Sequence, residues 1–194
     1  MCDAAQRSCG PRRHAVSEPP DIGAGPPVSR VLLDVHEEAG DWSAFGDVRS
    51  AIRAAGNATL RHFAREQDRV EACIALSDDA HVRTLNRTYR GVDRSTNVLS
   101  FQSMAGGEPP AGQSRHLGDI VLAAETILRE AAELGINPRH HLQHLVVHGL
   151  LHLLGYDHQS EAEAEPMEAL EVEILAGLGI PNPYMIAETV DPDR

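Results

Sequence analysis

The stretch His148-Gly149-Leu150-Leu151-His152-Leu153-Leu154-Gly155-Tyr156-Asp157-His158 decides how the rest of the chain is read. Two histidines stand four apart inside an apolar run. Helical spacing puts both imidazoles on one face, one turn from each other. Gly155 then supplies a helix stop, because glycine adopts the left-handed conformation at no steric cost. The returning chain carries His158 toward the same point. Three neutral imidazoles converging there would hold Zn²⁺ and leave its fourth position for water, which is the catalytic rather than the structural arrangement. A lone histidine on an apolar helix is more often a core residue, but three at this spacing point to a metal. The helix of a zinc protease reads His-Glu-x-x-His, with the glutamate as general base. Position 149 is glycine, so the ligands are present without that base, which argues against an ordinary metalloprotease.

The flanking sequence builds a domain around this helix. Pro138 is placed to open it, and His140, His141 and His144 lie on it ahead of the motif. Residues 124–134 form the preceding helix, ended by Gly135. Strands are predicted at 31–35, 70–76, 98–101 and 117–123. Val48, Ile52, Ala55, Leu60 and Phe63 recur at helical intervals and predict a helix over 43–66 that Gly56 can interrupt. Ser77 is the expected N-cap of a helix running to Tyr89, with Asp78 and Asp79 in its first turn and Val82 and Leu85 inward. Residues 90–97 and 104–115 read as loops. Downstream, 161–175 is an acidic amphipathic helix with Met167, Leu170, Ile174 and Leu175 as its apolar positions. The sum is an α+β domain, a small mixed sheet of about four strands packed with about five helices. Residues 1–28 read as a disordered N-terminal extension, 29–187 as the domain and 188–194 as a polar tail.

Composition narrows the partners. A length of 194 residues suits one domain with a tail. The net charge of −12 opposes a broad electrostatic grip on nucleic acid. Aromatics at 4% advertise little base stacking. Any contact with RNA therefore has to come from a local basic cluster. Cys2, Cys9 and Cys73 are odd in number and lack zinc-finger spacing, which fits a reduced, cytoplasmic protein. No apolar run is long enough to span a membrane, so no membrane partner is expected.

One basic cluster exists. Arg83, Arg87, Arg90 and Arg94 stand against a single acid, Asp93. Guanidinium groups match phosphate oxygens with two parallel bonds. A solvated helix face is the alternative, and composition leaves both open.

Three ordered motifs carry a resemblance. Residues 85–101 (Leu-Asn-Arg-Thr-Tyr-Arg-Gly-Val-Asp-Arg-Ser-Thr-Asn-Val-Leu-Ser-Phe), the run Leu117-Gly118-Asp119-Ile120 and the histidine stretch together resemble the YbeY family of zinc-dependent bacterial endoribonucleases. Met167-Glu168-Ala169-Leu170-Glu171 is also similar, and the likeness covers about residues 30 to 187. Ser95 departs from it, standing where the family usually has proline, which is expected to loosen the loop. The resemblance implies one Zn²⁺ on His148, His152 and His158, a zinc-bound water as the reactive group, and Arg90 as the functionally important arginine. It implies an RNA substrate, with work on ribosomal RNA at the 3′ end of 16S rRNA and in quality control of the small subunit, alongside ribosomal or assembly-factor proteins. Arg83, Arg87 and Arg94 are the expected substrate-binding residues. His144 is the candidate helper for the leaving-group proton, or else a support for the site. A peptidase-like metallohydrolase and a non-catalytic assembly factor with a zinc site are the alternatives.

Overall fold

The computed structural model describes residues 30–63, 69–104, 113–157 and 161–187. The expected extension 1–28, the tail 188–194 and His158 lie outside the described residues. Four strands form one sheet: β1 (Arg30–Glu37), β2 (Arg69–Ser77), β3 (Val98–Gln102) and β4 (Arg115–Ala123), in the order β1-β2-β4-β3. β1 and β2 run parallel, as do β2 and β4, while β3 is antiparallel to β4. Parallel neighbours need a crossover. α1 (Val48–Phe63) supplies the first, and α2 (Asp79–Arg90) followed by β3 supplies the second. The mixed α+β sheet expected from the sequence is thus the observed one.

Alternation along β2 buries Val70, Ala72, Ile74 and Leu76 on one face. There they join Ile52 and Leu60 of α1, Leu142, Val146 and Leu150 of α4 (Pro138–Leu153), and Met167, Ile174 and Leu175 of α5 (Glu161–Gly177). On the opposite face Leu99 and Val121 pack with Val82 of α2. α3 (Ala124–Leu134) adds Ile127 to the main core. α4 is buried nearly all round, as a central helix must be. Its half-buried positions His140, His144, His148 and His152 repeat every four residues and form one stripe.

Three local expectations change. Ser43–Phe45 is a separate 3₁₀ turn, and α1 starts at Val48. α1 runs unbroken through Gly56, because a Cβ there would lie 2.3 Å from Leu33 Cδ1 and the glycine lets the helix lie against β1. The N-cap of α2 is Asp78, whose carboxylate accepts from the His81 amide at 2.8 Å. Ser77 remains the last residue of β2 and meets His81 Nδ1 with its hydroxyl at 2.8 Å.

Candidate functional site

Asn137 caps α4 by accepting from the Arg139 amide at 2.8 Å, and Pro138 follows in its first turn as expected. One turn apart near the other end, His148 and His152 bring their Nε2 atoms to 3.1 Å. Each ring is oriented through its other nitrogen. His148 Nδ1 donates to Glu171 Oε1 at 2.8 Å. His152 Nδ1 donates to the Tyr156 carbonyl at 2.9 Å. A carboxylate and a carbonyl can only accept, so both neutral rings carry the proton on Nδ1 and aim the Nε2 lone pair at one point. Zinc–imidazole bonds of about 2.0–2.1 Å in tetrahedral geometry require nitrogens about 3.3 Å apart, so this pair fits such a cation. No group of three or more His, Cys, Asp or Glu suited to a metal occurs among the described residues. His158, the third expected ligand, is not among them.

The turn after α4 explains the orientation of His152. Gly155 takes φ 98°, its amide bonds the His152 carbonyl at 3.0 Å, and the Tyr156 amide returns to the Leu151 carbonyl at 3.0 Å. That closure delivers the Tyr156 carbonyl to His152. Gln102 of β3 donates its Nε2 to the His152 carbonyl at 2.7 Å and ties the edge strand to the same helix end. Position 149 is tight for a side chain. A Cβ there would sit 3.0 Å from Ile120 Cδ1 and 3.1 Å from Ser100 Oγ. The glutamate of a protease helix would fit there only if Ile120 and Ser100 gave way.

Glu171 on α5 is the residue that sequence reasoning missed. It is 0% exposed and accepts from His144 Nε2 at 2.6 Å, from His148 Nδ1 and from the Tyr184 hydroxyl. Burial pushes its carboxyl up, but the hydrogen bonds from His144 and His148 outweigh that and bring it to about 2. Burial, with the Glu171 carboxylate beside it, pushes the Tyr184 phenol up. A sequence signal for Glu171 existed. Positions 167, 170, 171, 174 and 175 form one helical stripe, and Glu171 is its only charged member.

Arg90 ends α2, where Gly91 caps the helix at φ 72°. The groove it lines is shared with Ser100, Gln102, His152, Gly155, Tyr156 and Asp157. Arg83 lies elsewhere. Its Nε and Nη2 donate to the Asp93 oxygens at 2.8 and 2.9 Å, and the Arg83 bond holds the Asp93 carboxyl below the usual range. Arg87 Nη1 stands 4.0 Å from the same carboxylate. Arg83 and Arg94 line a separate depression with Asp79 and Ser95. Ser95 does not leave the loop untethered, since its hydroxyl donates to Asp79 Oδ1 at 3.0 Å and Asn86 Nδ2 donates to the Arg94 carbonyl at 2.8 Å. Asp119 is exposed on the sheet, 3.5 Å from His116.

Fold and groove together define an α+β enzyme in which a histidine-bearing helix and a helix-ending arginine face one opening. The family model described as Endoribonuclease YbeY matches residues 40–179. The chain belongs to the YbeY family. Proteins named Endoribonuclease YbeY include one from Rhodopseudomonas palustris (strain BisA53), 45% identical over 87% of this chain and 96% of that protein. Another, from Bradyrhizobium sp. (strain BTAi1), is 48% identical over 77% of this chain and 90% of that protein. The solution structure of TM1509 from Thermotoga maritima matches with a TM-score of 0.48 and 21% identity, over 84% of this chain and 99% of that one. Among the described residues, no helix is long and apolar enough to cross a membrane.

Proposed function

We propose that the chain is a single-strand-specific, zinc-dependent endoribonuclease of the cytoplasm that matures the 3′ end of 16S rRNA and serves small-subunit quality control. Family membership supports the reaction class. The observation that carries the reading furthest is the groove that Arg90 shares with His152. His148, His152 and His158 would hold the cation, which when bound supplies a Lewis acid able to acidify water and polarise a phosphoryl oxygen. Arg90, which lines the same groove as His152, would neutralise the charge developing on a scissile phosphate bound there. Ser100 and Gln102 shape the groove wall. Arg87 and Arg94 serve as peripheral contacts for the rest of the strand, while Arg83 is taken up by Asp93. His144 spends its Nε2 proton on Glu171, so the leaving-group proton is left to another group in the groove. The packing at position 149 disfavours a peptidase of the His-Glu-x-x-His kind.

The test is cleavage of single-stranded and duplex RNA by metal-replete protein, with His152→Ala as the control. Cleavage of the single strand that vanishes in His152→Ala and on chelation is expected. Equal activity in His152→Ala would expose a contaminating nuclease and end the proposal.

A further inference from the structure

Buried carboxylates in a hydrophobic core are unfavourable unless fully paired. Glu171 is such a group, and its two oxygens are divided by task. Oε2 receives His144 Nε2 and the Tyr184 hydroxyl, while Oε1 receives His148 Nδ1. The first two contacts fix the plane of the carboxylate. The third uses that plane to fix the ring of His148. Tyr184 opens the four-residue helix α6 (Tyr184–Ala187) and is itself held in place. Its amide donates to Asn182 Oδ1 at 2.9 Å, its ring meets the His144 ring edge-on at 5.9 Å, and Ile180 ahead of it is buried. Residue 184 lies beyond the 40–179 stretch that the family model matches.

We infer that Glu171, clamped by Tyr184 and His144, is a positioning residue that holds His148 in the Nδ1-protonated tautomer, and that the C-terminal turn carrying Tyr184 is thereby a working part of the metal site. The inference rests on the metal reading above for its purpose, but the tautomer it assigns belongs to the chain alone. With Nδ1–H committed to Glu171, the Nε2 lone pair of His148 faces His152 Nε2, 3.1 Å away. Were Oε1 replaced by a donor, the ring would be drawn to the opposite tautomer, with a proton where a cation has to sit. Partners that orient metal-ligating histidines in this way typically account for 10–100-fold in metal affinity.

Two measurements test it on the full chain. The first is zinc affinity, by competition with a chelator, for the wild type, Glu171→Gln, Glu171→Asp and Tyr184→Phe. Glu171→Gln should weaken zinc binding about 10–100-fold. Tyr184→Phe should weaken it several-fold. Glu171→Asp should restore little, because it keeps the charge but withdraws the oxygens by one methylene. The second is the ¹⁵N resonance pattern of the imidazoles in metal-free protein, recorded across a pH series. His148 should be Nδ1-protonated in the wild type and should shift toward the Nε2–H form in Glu171→Gln. Melting temperatures identify any variant that fails to fold, and Tyr184→Phe, which removes a single oxygen, stays informative if Glu171→Gln does. Wild-type zinc affinity with an unchanged His148 tautomer in Glu171→Gln or, should that variant not fold, in Tyr184→Phe, would overturn the inference. A wild-type chain that takes up no zinc would instead defeat the functional reading, and the tautomer measurement would still judge this one.

Discussion

Arg83 and Arg90 stand two helical turns apart on α2, yet of the two only Arg90 lines the groove beside His152. Arg83 commits two donors to Asp93, whereas Arg90 reaches the groove beside His152. Arg90→Ala should therefore lower the single-turnover cleavage rate at saturating RNA by about 10²–10³, the usual loss for one electrostatic partner of a transition state. Zinc content and melting temperature should stay close to wild type, since no core contact is lost. Arg90→Lys should recover part of the rate, because an ammonium keeps the charge but lacks the planar fork. A wild-type rate for Arg90→Ala would reduce Arg90 to a docking contact. At position 149 the limit is space. Gly149→Glu rebuilds the protease motif but drives a Cβ into Ile120 and Ser100. Overpacking of this kind costs about 1–3 kcal/mol, readable by denaturant unfolding. Unchanged stability would show that the helix has room to shift there.

At the scale of elements, α4 was legible because its signals are local. The four-residue histidine period, Pro138 at the start and Gly155 at the stop all lie within the helix or beside it. Gly155→Ala tests the stop. An L side chain in the left-handed region costs about 1–2 kcal/mol, so the melting temperature should fall. Zinc affinity should fall with it, because the same turn holds the Tyr156 carbonyl on His152 Nδ1. Loss of stability with undiminished affinity would separate the turn from the site. What the sequence hid depends on tertiary docking. Asp93 follows α2 in a loop that folds back onto Arg83, so adding up the charges of that segment could not say which arginine stays available. The capping role went to Asp78 over its neighbour Ser77, a contest between two good cappers that one residue of strand register decides. Glu171 left a trace as the charged member of an apolar stripe. Tyr184 left none, since a four-residue helix has no periodicity and its hydroxyl matters only once α6 lies on α5.

Across the whole molecule, charge is handled by pairing rather than by excess. Glu130 of α3 accepts from Asn97 ahead of β3 and from His141 of α4, so one carboxylate joins a helix, a helix and a strand entry. Burial raises its pKa, but the bonds from His141 and Asn97 outweigh that and leave it lowered from 4.5. A depressed carboxyl stabilises the fold above its unfolded pKa, and that stability is lost as pH falls through the folded value. Glu130→Gln should thus be less stable than wild type at neutral pH, and the gap should close on acidification below about pH 4. A gap independent of pH in urea unfolding would mean that the charge is not its source. The net charge of −12 sets the last expectation. An acidic body repels a polyanion, so RNA has to be gripped where positive charge is local. With Arg83 held by Asp93, that segment still offers Arg90 in the groove, Arg94 in its separate depression, and Arg87. Each phosphate neutralised on a single strand contributes about −0.7 to the slope of log K against log salt, so three contacts predict a slope near −2. Arg90→Ala should flatten it by about 0.7, and Arg83→Ala should leave it nearly unchanged. The measurement is RNA affinity of zinc-loaded protein across a salt series. A slope several times steeper would require a wide basic surface, which this chain could supply only through a partner protein, and the single-groove account would then fail.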